Sequence, residues 1–470
     1  MTMPTIEYTI SAPIIDEADV LVVGGGPAGI AAAIASARTG ADTILAERYG
    51  FLGGNLTAGL VGPCMTSYSL DGAEQLIKGI FEEFVVRMEQ IGGAIHPSKI
   101  AGGSPYSGFF VFGHERVTPF EPEAAKRVAM EMCLEAGVRL ALHTFAVDAI
   151  RDECTVSCVV FASKSGLEAT RAAQIVDCSA DGDVAARAGV PFEIGRAEDG
   201  LTQPMTLFFR VANVDDAGVD EYVASHPEEI RPYASLVDEA RERGEFPPIP
   251  RRAVGIYRTT QAGVWRINTT RVLKRLGTDA RDLTAAEIEG RRQAWMLVEF
   301  FRKWLPGFED CRLLDTATTI GVRETRRIKG EYTLTLEDLQ AATPFDDVIA
   351  LCGYPVDIHS PVDGSGVTLV NHNTANAYEI PYRCLVPQGV NNLLVAGRCV
   401  SATHEAMAAI RVMPPAFAMG QAAGTAAALS MRAGVEPRAL DVETLQAQLL
   451  ADDAYLGPRV VASPLREPVK

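Results

Sequence analysis

The chain has 470 residues, 47% of them hydrophobic and 22% charged, so it holds enough apolar material for a large core and is neither disordered nor fibrous. At roughly 100–200 residues per domain, that length predicts two to four structural units. Asp plus Glu is 60 against 43 for Lys plus Arg, a net charge of −17, which argues against a nucleic-acid partner and against docking on anionic lipid.

No Lys or Arg precedes Arg38, so the start lacks the basic region of a secretory signal. No apolar run approaches the roughly 18 residues that cross a bilayer. The 9 cysteines show neither Cys-x-x-Cys nor zinc-ligand spacing, so they read as free thiols of a cytoplasmic protein with no metal site.

After a lead-in over residues 1–18, the run from Ala18 to Val23 ends in Gly24-Gly25-Gly26, the pattern of a buried parallel strand. Residues 28–39 read as an Ala-rich helix capped by Gly40, and residues 43–47 as a second strand, giving a βαβ unit. Residues 74–91 and 121–136 read as amphipathic helices, residues 139–150 and 154–161 as a strand pair, and residues 172–177 as another buried strand. From about residue 200 to 345 the texture changes: Arg is dense, Trp265, Trp295 and Trp304 all fall here, and the Pro-rich turn Phe246-Pro247-Pro248-Ile249-Pro250 interrupts it. Residues 391–397 then restore a buried strand ending in Gly, followed by a long Ala/Gly-rich helix over 414–431. The expected fold is α/β: a discontinuous Rossmann-like domain at 17–200 and 351–435, an inserted α+β domain at 201–350, and a C-terminal extension at 436–470.

Gly24-Gly25-Gly26-Pro27-Ala28-Gly29 is G-x-G-x-x-G between a strand and a helix. Such a turn lets backbone approach a pyrophosphate at a helix N-terminus. Glu47 follows 18 residues after Gly29, at the end of the second strand, where a carboxylate can accept both hydrogens of a ribose diol. Beyond Arg48 comes a second Gly-rich segment, Gly50-Phe51-Leu52-Gly53-Gly54-Asn55-Leu56-Thr57. Its backbone N–H groups, with the Thr57 hydroxyl, would meet a second phosphate and a ribityl chain, which a nicotinamide dinucleotide does not need. The cofactor expected is FAD.

With these residues the chain resembles the FAD-dependent oxidoreductase family within the glutathione-reductase-like FAD superfamily. The matching blocks are Leu52-Gly53-Gly54-Asn55-Leu56-Thr57-Ala58-Gly59, the stretch Asp177–Ala185 (D-C-S-A-D-G-D-V-A, with Ala180 where Gly is commoner), the block from Ile320 to Tyr332 containing G-V-R-E-T-R-R, and the run from Asn392 to Pro414 containing A-G-R-C-V-S-A-T-H-E-A. The resemblance covers nearly the whole chain after residue 17. It implies that Ala180, Gly397 and Arg398 belong to the FAD site, and that Arg411 and Val412 lie beside the flavin at the start of the helix from Pro414. A positive helix end there would stabilise a reduced, anionic flavin.

Flavin chemistry on a C–H bond needs a base for the departing proton and cations for any carboxylate. Asp357 and His359 alternate onto one strand face, so His359 is a candidate proton acceptor; a structural His is the alternative. Arg323, Arg326 and Arg327 would share a helix face, with Arg326 chosen as the substrate or flavin anchor, although pairs with Glu324 and Glu331 serve equally well. His404 follows the second FAD segment and is the third candidate. His372 ranks lower, and His96, His114, His143 and His226 have no supporting context. A second G-x-G-x-x-G for NAD(P)H and the paired Cys of disulfide reductases are both missing. The function expected is a dehydrogenase or oxidase that moves a hydride from a small polar, carboxylate-bearing molecule to FAD, with oxygen, a quinone or a carrier protein as acceptor. An ene-reductase with an external donor, or a flavin subunit relaying electrons, is the alternative. The oligomeric state is open, a homo-oligomer included.

Overall fold

Strand β1 (Ile14–Val23) is exposed at its start and fully buried from Val20 to Val23, because only its C-terminal half runs through the centre of a sheet covered on both faces. The computed structural model describes residues 6, 8–364, 367–370 and 376–461. Helix α1 (Pro27–Arg38) follows and leads into β2 (Thr43–Glu47), parallel to β1 with Val20 opposite Thr43 and Val23 opposite Ala46. Next come α2 (Ile80–Gln90), α3 (Pro122–Glu135) and β3 (Arg139–Leu142), which pairs parallel with β2. The hairpin β4 (Phe145–Asp152) and β5 (Thr155–Ser163) lies antiparallel on the first half of the long β6 (Gly166–Asp177). The second half of β6 joins β1 in parallel on one side and the strand Leu393–Val395 on the other.

Helix Met413–Ala433 lies directly on α1, and small residues make the approach possible. A Cβ on Gly420 would sit 2.0 Å from the Ala28 carbonyl oxygen, and one on Gly424 would sit 2.0 Å from that of Ala32. The two helices therefore touch backbone to backbone, so that segments almost 400 residues apart form one wall. Around this contact the apolar faces of β1, β2, β6, α2 and α3 make one continuous core.

The insert has its own core. Strands Arg312–Thr316, Phe209–Ala212, Trp265–Ile267 and Ile256–Arg258 form an antiparallel sheet in that order, backed by the long helix Ala280–Trp304. That helix starts where the Asp279 carboxylate accepts the Arg281 and Asp282 N–H groups. Trp265, Phe209, Phe301 and Phe308 fill the space between sheet and helix.

The expected boundaries shift at three points. Chain from Arg326 onward already belongs to the first domain: Arg326–Ile328 pairs with Phe192–Ile194, and Ile328, Leu334, Leu339 and Val348 join the first core. The insert thus ends near residue 325 rather than 350, because the hydrophobic pattern of 326–350 serves the other core. Second, the strand read over 139–150 breaks at His143, whose φ of +57° turns the chain from β3 into β4. The helix expected from 74 begins only at Ile80, whose N–H donates to the Gln421 side chain at 3.1 Å. Among the described residues no helix is long and apolar enough to cross a membrane.

One substitution tests the helix contact. Gly424→Ala gains about 1 kcal/mol of helix propensity, but the methyl group lands on the Ala32 carbonyl. A net loss of about 1–3 kcal/mol is expected, read as a lower Tm; an unchanged or higher Tm would show that the helices have room to separate.

Candidate active site

β1, β2, β6 and the strand Leu393–Val395 all end at the same edge of the sheet. The turns that follow them line a cleft of about 1300 Å3, counting its open mouth. This edge is where open α/β sheets bind ligands.

Three glycines in the first turn are required for different reasons. Gly24 has φ +101°, and its Cβ would stand 2.4 Å from the Cys178 carbonyl oxygen. A Cβ on Gly29 would be 1.7 Å from the Gly24 carbonyl oxygen, so this glycine lets α1 rest on the turn and does not face the cleft. Gly26 has an ordinary φ of −77°, and its Cβ would meet nothing nearer than Gly54 Cα at 3.9 Å. Neither backbone nor packing asks for glycine at Gly26, and the space in front of it suits a ligand. The N-terminus of α1 opens there with Pro27 in its first turn and no side-chain cap, leaving N–H groups and the positive end of the helix for an anion. These features fit the pyrophosphate of FAD, with Gly26, Pro27, Ala28 and Gly54 around it.

One end of the cleft is formed by Glu47, Arg48, Tyr49, Thr144, Phe145 and Ala146. Glu47 is buried; its two oxygens accept the Gly25 N–H at 2.6 Å and the Tyr49 N–H at 2.9 Å. Burial pushes its carboxyl above the usual range, and those two N–H groups pull the other way without cancelling it. With its first lone pairs satisfied by backbone, Glu47 is held rigidly at the wall where the adenosine ribose would lie. The middle of the cleft holds Ala180, Asp181, Asp183, Gly397 and Arg398. Ala180 carries a φ of +71°, a mild strain at a position whose backbone conformation suits Gly. Arg398 donates to Asp181 at 2.7 Å and to the Thr325 hydroxyl at 2.9 Å. Burial, then the neighbouring carboxylates of Asp181 and Asp177, push Asp183 up to about 6. The far end holds Asn55, Ala58, Thr319, Ile320, Arg411 and Met413.

Two expected contacts are used elsewhere. The Thr57 hydroxyl donates to the Leu52 carbonyl at 2.8 Å, and Leu56 is fully buried in the core; both brace the second Gly-rich turn from behind. Val412 is the N-cap residue of the helix Met413–Ala433, and its neighbours Arg411 and Met413, not Val412 itself, line the cleft.

The second group of expected residues divides. Residues 323–328 form a loop and a short strand, not a helix, so the three arginines point to different places. Arg326 donates to Asp183 at 2.8 Å and to the Asp181 carbonyl at 3.0 Å, and lies over the Phe192 ring. It braces the Asp181–Asp183 turn and does not reach His359. Arg327 is buried against Glu324, and His404 Nδ1 lies 2.9 Å from the same carboxylate. His404 begins a short helix capped by the Thr403 hydroxyl and does not line the cleft. His372 lies outside the described residues.

His359 shares a face with Asp357, as alternation requires: His359 Nε2 is 3.4 Å from Asp357 Oδ2. Asp357 also accepts the Tyr354 hydroxyl at 3.2 Å, and Arg411 Nη2 reaches the Asp357 carbonyl at 3.1 Å. Arg411 therefore stands both in the cleft wall and against the Asp357–His359 pair. Burial, with Arg323 and Arg271 adding to it, drives the His359 pKa well below its usual value against the pull of Asp357, so the ring is neutral. Burial alone would raise Asp357, but the permanent charges of Arg411 and Arg323 hold it below the carboxylate range, with the neutral His359 ring beside it. Sequence reasoning missed Arg271, which has no motif and whose Nη2 lies 3.5 Å from His359 Nδ1; it named Arg323, but on a helix face shared with Arg326 and Arg327 rather than here. It also dismissed His114, a half-buried ring whose Nδ1 faces the Ser107 carbonyl and whose pKa responds to Asp357.

A sheet edge shaped for a dinucleotide, with an acid at one end and buried polar groups at the other, fits an enzyme that holds a dinucleotide cofactor. The sequence profile of the FAD dependent oxidoreductase family matches residues 19–449, and the chain belongs to that family. It is an FAD-dependent oxidoreductase. A search of curated proteins returned no match. Among solved structures it is similar to a p-nitrophenol 4-monooxygenase from Pseudomonas putida, at 12% identity over 96% of this chain and 91% of the other, TM-score 0.47. It is also similar to the flavin-dependent brominase Bmp2, at 13% identity over 93% and 83%, TM-score 0.46. A third is a geranylgeranyl bacteriochlorophyll reductase-like protein from Thermoplasma acidophilum, at 12% identity over 94% and 84%, TM-score 0.43.

Two variants probe the cleft. Gly26→Val should fold but purify without flavin, read as the ratio of absorbance near 450 nm to 280 nm; a fully yellow variant would put the pyrophosphate elsewhere. Glu47→Ala should lose about 1–3 kcal/mol of FAD affinity, the scale of a charge-assisted hydrogen bond, and wild-type affinity would remove the ribose assignment. A third prediction concerns pH. Asp183 binds its proton more tightly folded than unfolded, so its stabilising contribution is complete below about 4 and is lost as pH rises through about 6. The Tm of Asp183→Asn relative to wild type, both without FAD, should therefore increase across that window; a flat difference would refute it.

Proposed function

We propose that this FAD-dependent oxidoreductase is a dehydrogenase or oxidase that removes a hydride and a proton from a small polar organic molecule, with His359 as the proton acceptor. The observation that carries this reading is the Asp357–His359 pair, which Arg411 connects to the cofactor cleft. When bound, FAD supplies a two-electron acceptor for the hydride. The Asp357 carboxylate, 3.4 Å from His359 Nε2, favours the proton on that nitrogen and leaves the lone pair on Nδ1 beside Arg271. Nδ1 is thereby the proton-accepting nitrogen, with a cation 3.5 Å away to meet the negative charge of a substrate. Glu324 orders the surroundings: it holds Arg327 and His404, and accepts the Gln203 N–H at 3.1 Å, while the Gln203 side chain faces Arg411 at 3.4 Å. His404 and Arg326 are read here as positioning residues. The neutral state of His359 supports oxidation over the reverse ene-reduction, since a neutral imidazole is ready to take a proton rather than give one. Oxygen, a quinone or a carrier protein would collect the electrons. All 9 cysteines are free thiols, which supports a reducing compartment such as the cytoplasm.

The test is anaerobic mixing of holoenzyme with a panel of small metabolites, following the loss of flavin absorbance. His359→Ala should keep its FAD spectrum and slow bleaching by about 10²–10⁴, the usual share of a general base. If it bleaches at the wild-type rate, His359 is structural. Arg326→Ala should shift FAD content or stability more than substrate affinity; the opposite pattern would return Arg326 to the substrate.

A further inference from the structure

Arg411 stands 3.4 Å from the Asp357 carboxylate, and Arg251, Arg271 and Arg323 lie within reach of its charge. Arg271 and Arg323 are 2% and 9% exposed, and both donate to the same hydroxyl, Thr206 Oγ1, at 2.5 and 2.7 Å. Two guanidinium groups on one neutral oxygen are two like charges held together. Arg323 spends its other described bond on the Pro204 carbonyl at 2.6 Å, and Arg271 its own on the Thr270 carbonyl and His359. Arg251 is half-buried on the Ala253 carbonyl and the Asn268 side chain. Among the described residues none of these three has an ion pair, and the fourth, Arg411, reaches Asp357 only at 3.4 Å.

Other buried arginines of this chain are treated differently. Arg327 is paired with Glu324, and Arg210 with Glu121 and Asp315. Arg266 has no direct partner but lies in the field of Glu121 and Asp315. Among the described residues, four guanidinium groups act on the one carboxylate of Asp357, with His359 neutral. Buried N–H donors without acceptors add to the imbalance: Arg271 Nε, Arg411 Nε and Gln203 Nε2 have no partner among the described residues. Uncompensated buried charge and unpaired donors both cost stability, and an anion with several oxygens would satisfy both. Burial lowers Arg323 to about 9, with Arg411 and Arg251 adding to it, and lowers Arg251 to about 10, with Arg231 adding to it; both stay charged at neutral pH.

We propose that Arg251, Arg271, Arg323 and Arg411 form a binding site for a small organic dianion with two carboxylate groups, seated beside His359. A dianion would neutralise two of the three excess charges, and planar carboxylates match the forked guanidinium donors. That this dianion is the molecule oxidised rests on the proposed oxidation; the site itself does not.

The experiment is calorimetric titration of the FAD-loaded protein, at constant ionic strength, with malonate, succinate and glutarate, against acetate, chloride and sulfate. At least one diacid should bind once per chain and at least tenfold more tightly than acetate. Arg271→Met should weaken it at least tenfold with FAD content unchanged, and Arg271→Lys should recover part of the loss. Should Arg271→Met fail to fold, Arg251→Met, at a less buried position, serves the same reading. The proposal is overturned if no diacid exceeds acetate in the wild type, if sulfate matches the best diacid, or if a folded, yellow variant keeps wild-type affinity. Bleaching separates the two ideas. Diacid binding without bleaching by any diacid keeps the site and removes the substrate role; bleaching by a neutral metabolite without diacid binding does the reverse.

Discussion

The architecture depends on the contact between α1 and the helix Met413–Ala433, where Gly420 and Gly424 lie against the Ala28 and Ala32 carbonyls. That contact sets how closely the last part of the chain approaches the first. It fixes Arg411 and Met413 at one end of the cleft whose other end is built by Glu47 and its neighbours. No side chain larger than hydrogen fits there, so composition in a C-terminal helix decides the shape of a site begun at residue 24. The insert hangs from this frame and delivers Arg271 and Thr206 to the same region.

The two ends of the site rest on opposite electrostatics. The cofactor end carries three carboxylates, Glu47, Asp181 and Asp183, against Arg48 and Arg398 in its walls, and the N-terminus of α1 opens onto the space in front of Gly26. The far end is cationic and buried, with one carboxylate among four guanidinium groups. A chain of contacts joins them, from Glu324 through Gln203 to Arg411 and on to Asp357 and His359. Because Arg411 belongs both to that chain and to the cleft wall, a change in charge at one end has a direct neighbour at the other.

The cofactor half was legible because its chemistry is local. Gly24 to Gly29 and Glu47 lie within one βαβ unit, so spacing alone puts them at one sheet edge. The second half was legible only in pieces: His359, Arg323 and Arg411 stood out one by one, but Arg251 and Arg271 did not, and nothing local says that segments from the insert, the return and the second part of the domain meet. Arg326 was misplaced because spacing of three and four residues was read as a helix face, whereas the chain there is extended and pairs with Phe192–Ile194. Thr57 was misplaced for a subtler reason. A hydroxyl in a Gly-rich turn can serve the ligand or the turn, and only geometry shows that it bonds Leu52. The insert's end was set too late because residues 326–350 are as apolar as a domain of their own would be.

The central claim is directional: the cleft takes FAD with its adenosine at Glu47 and its flavin ring at Arg411. A crystal structure of the FAD-loaded protein measures this directly. The account predicts the ribose hydroxyls within hydrogen-bond distance of the Glu47 carboxylate, the pyrophosphate in front of Gly26, and the ring against Met413 and Arg411 with His359 on its open side. A flavin ring at the Glu47 and Phe145 end, or a ring with no path to the Asp357–His359 pair, would contradict it.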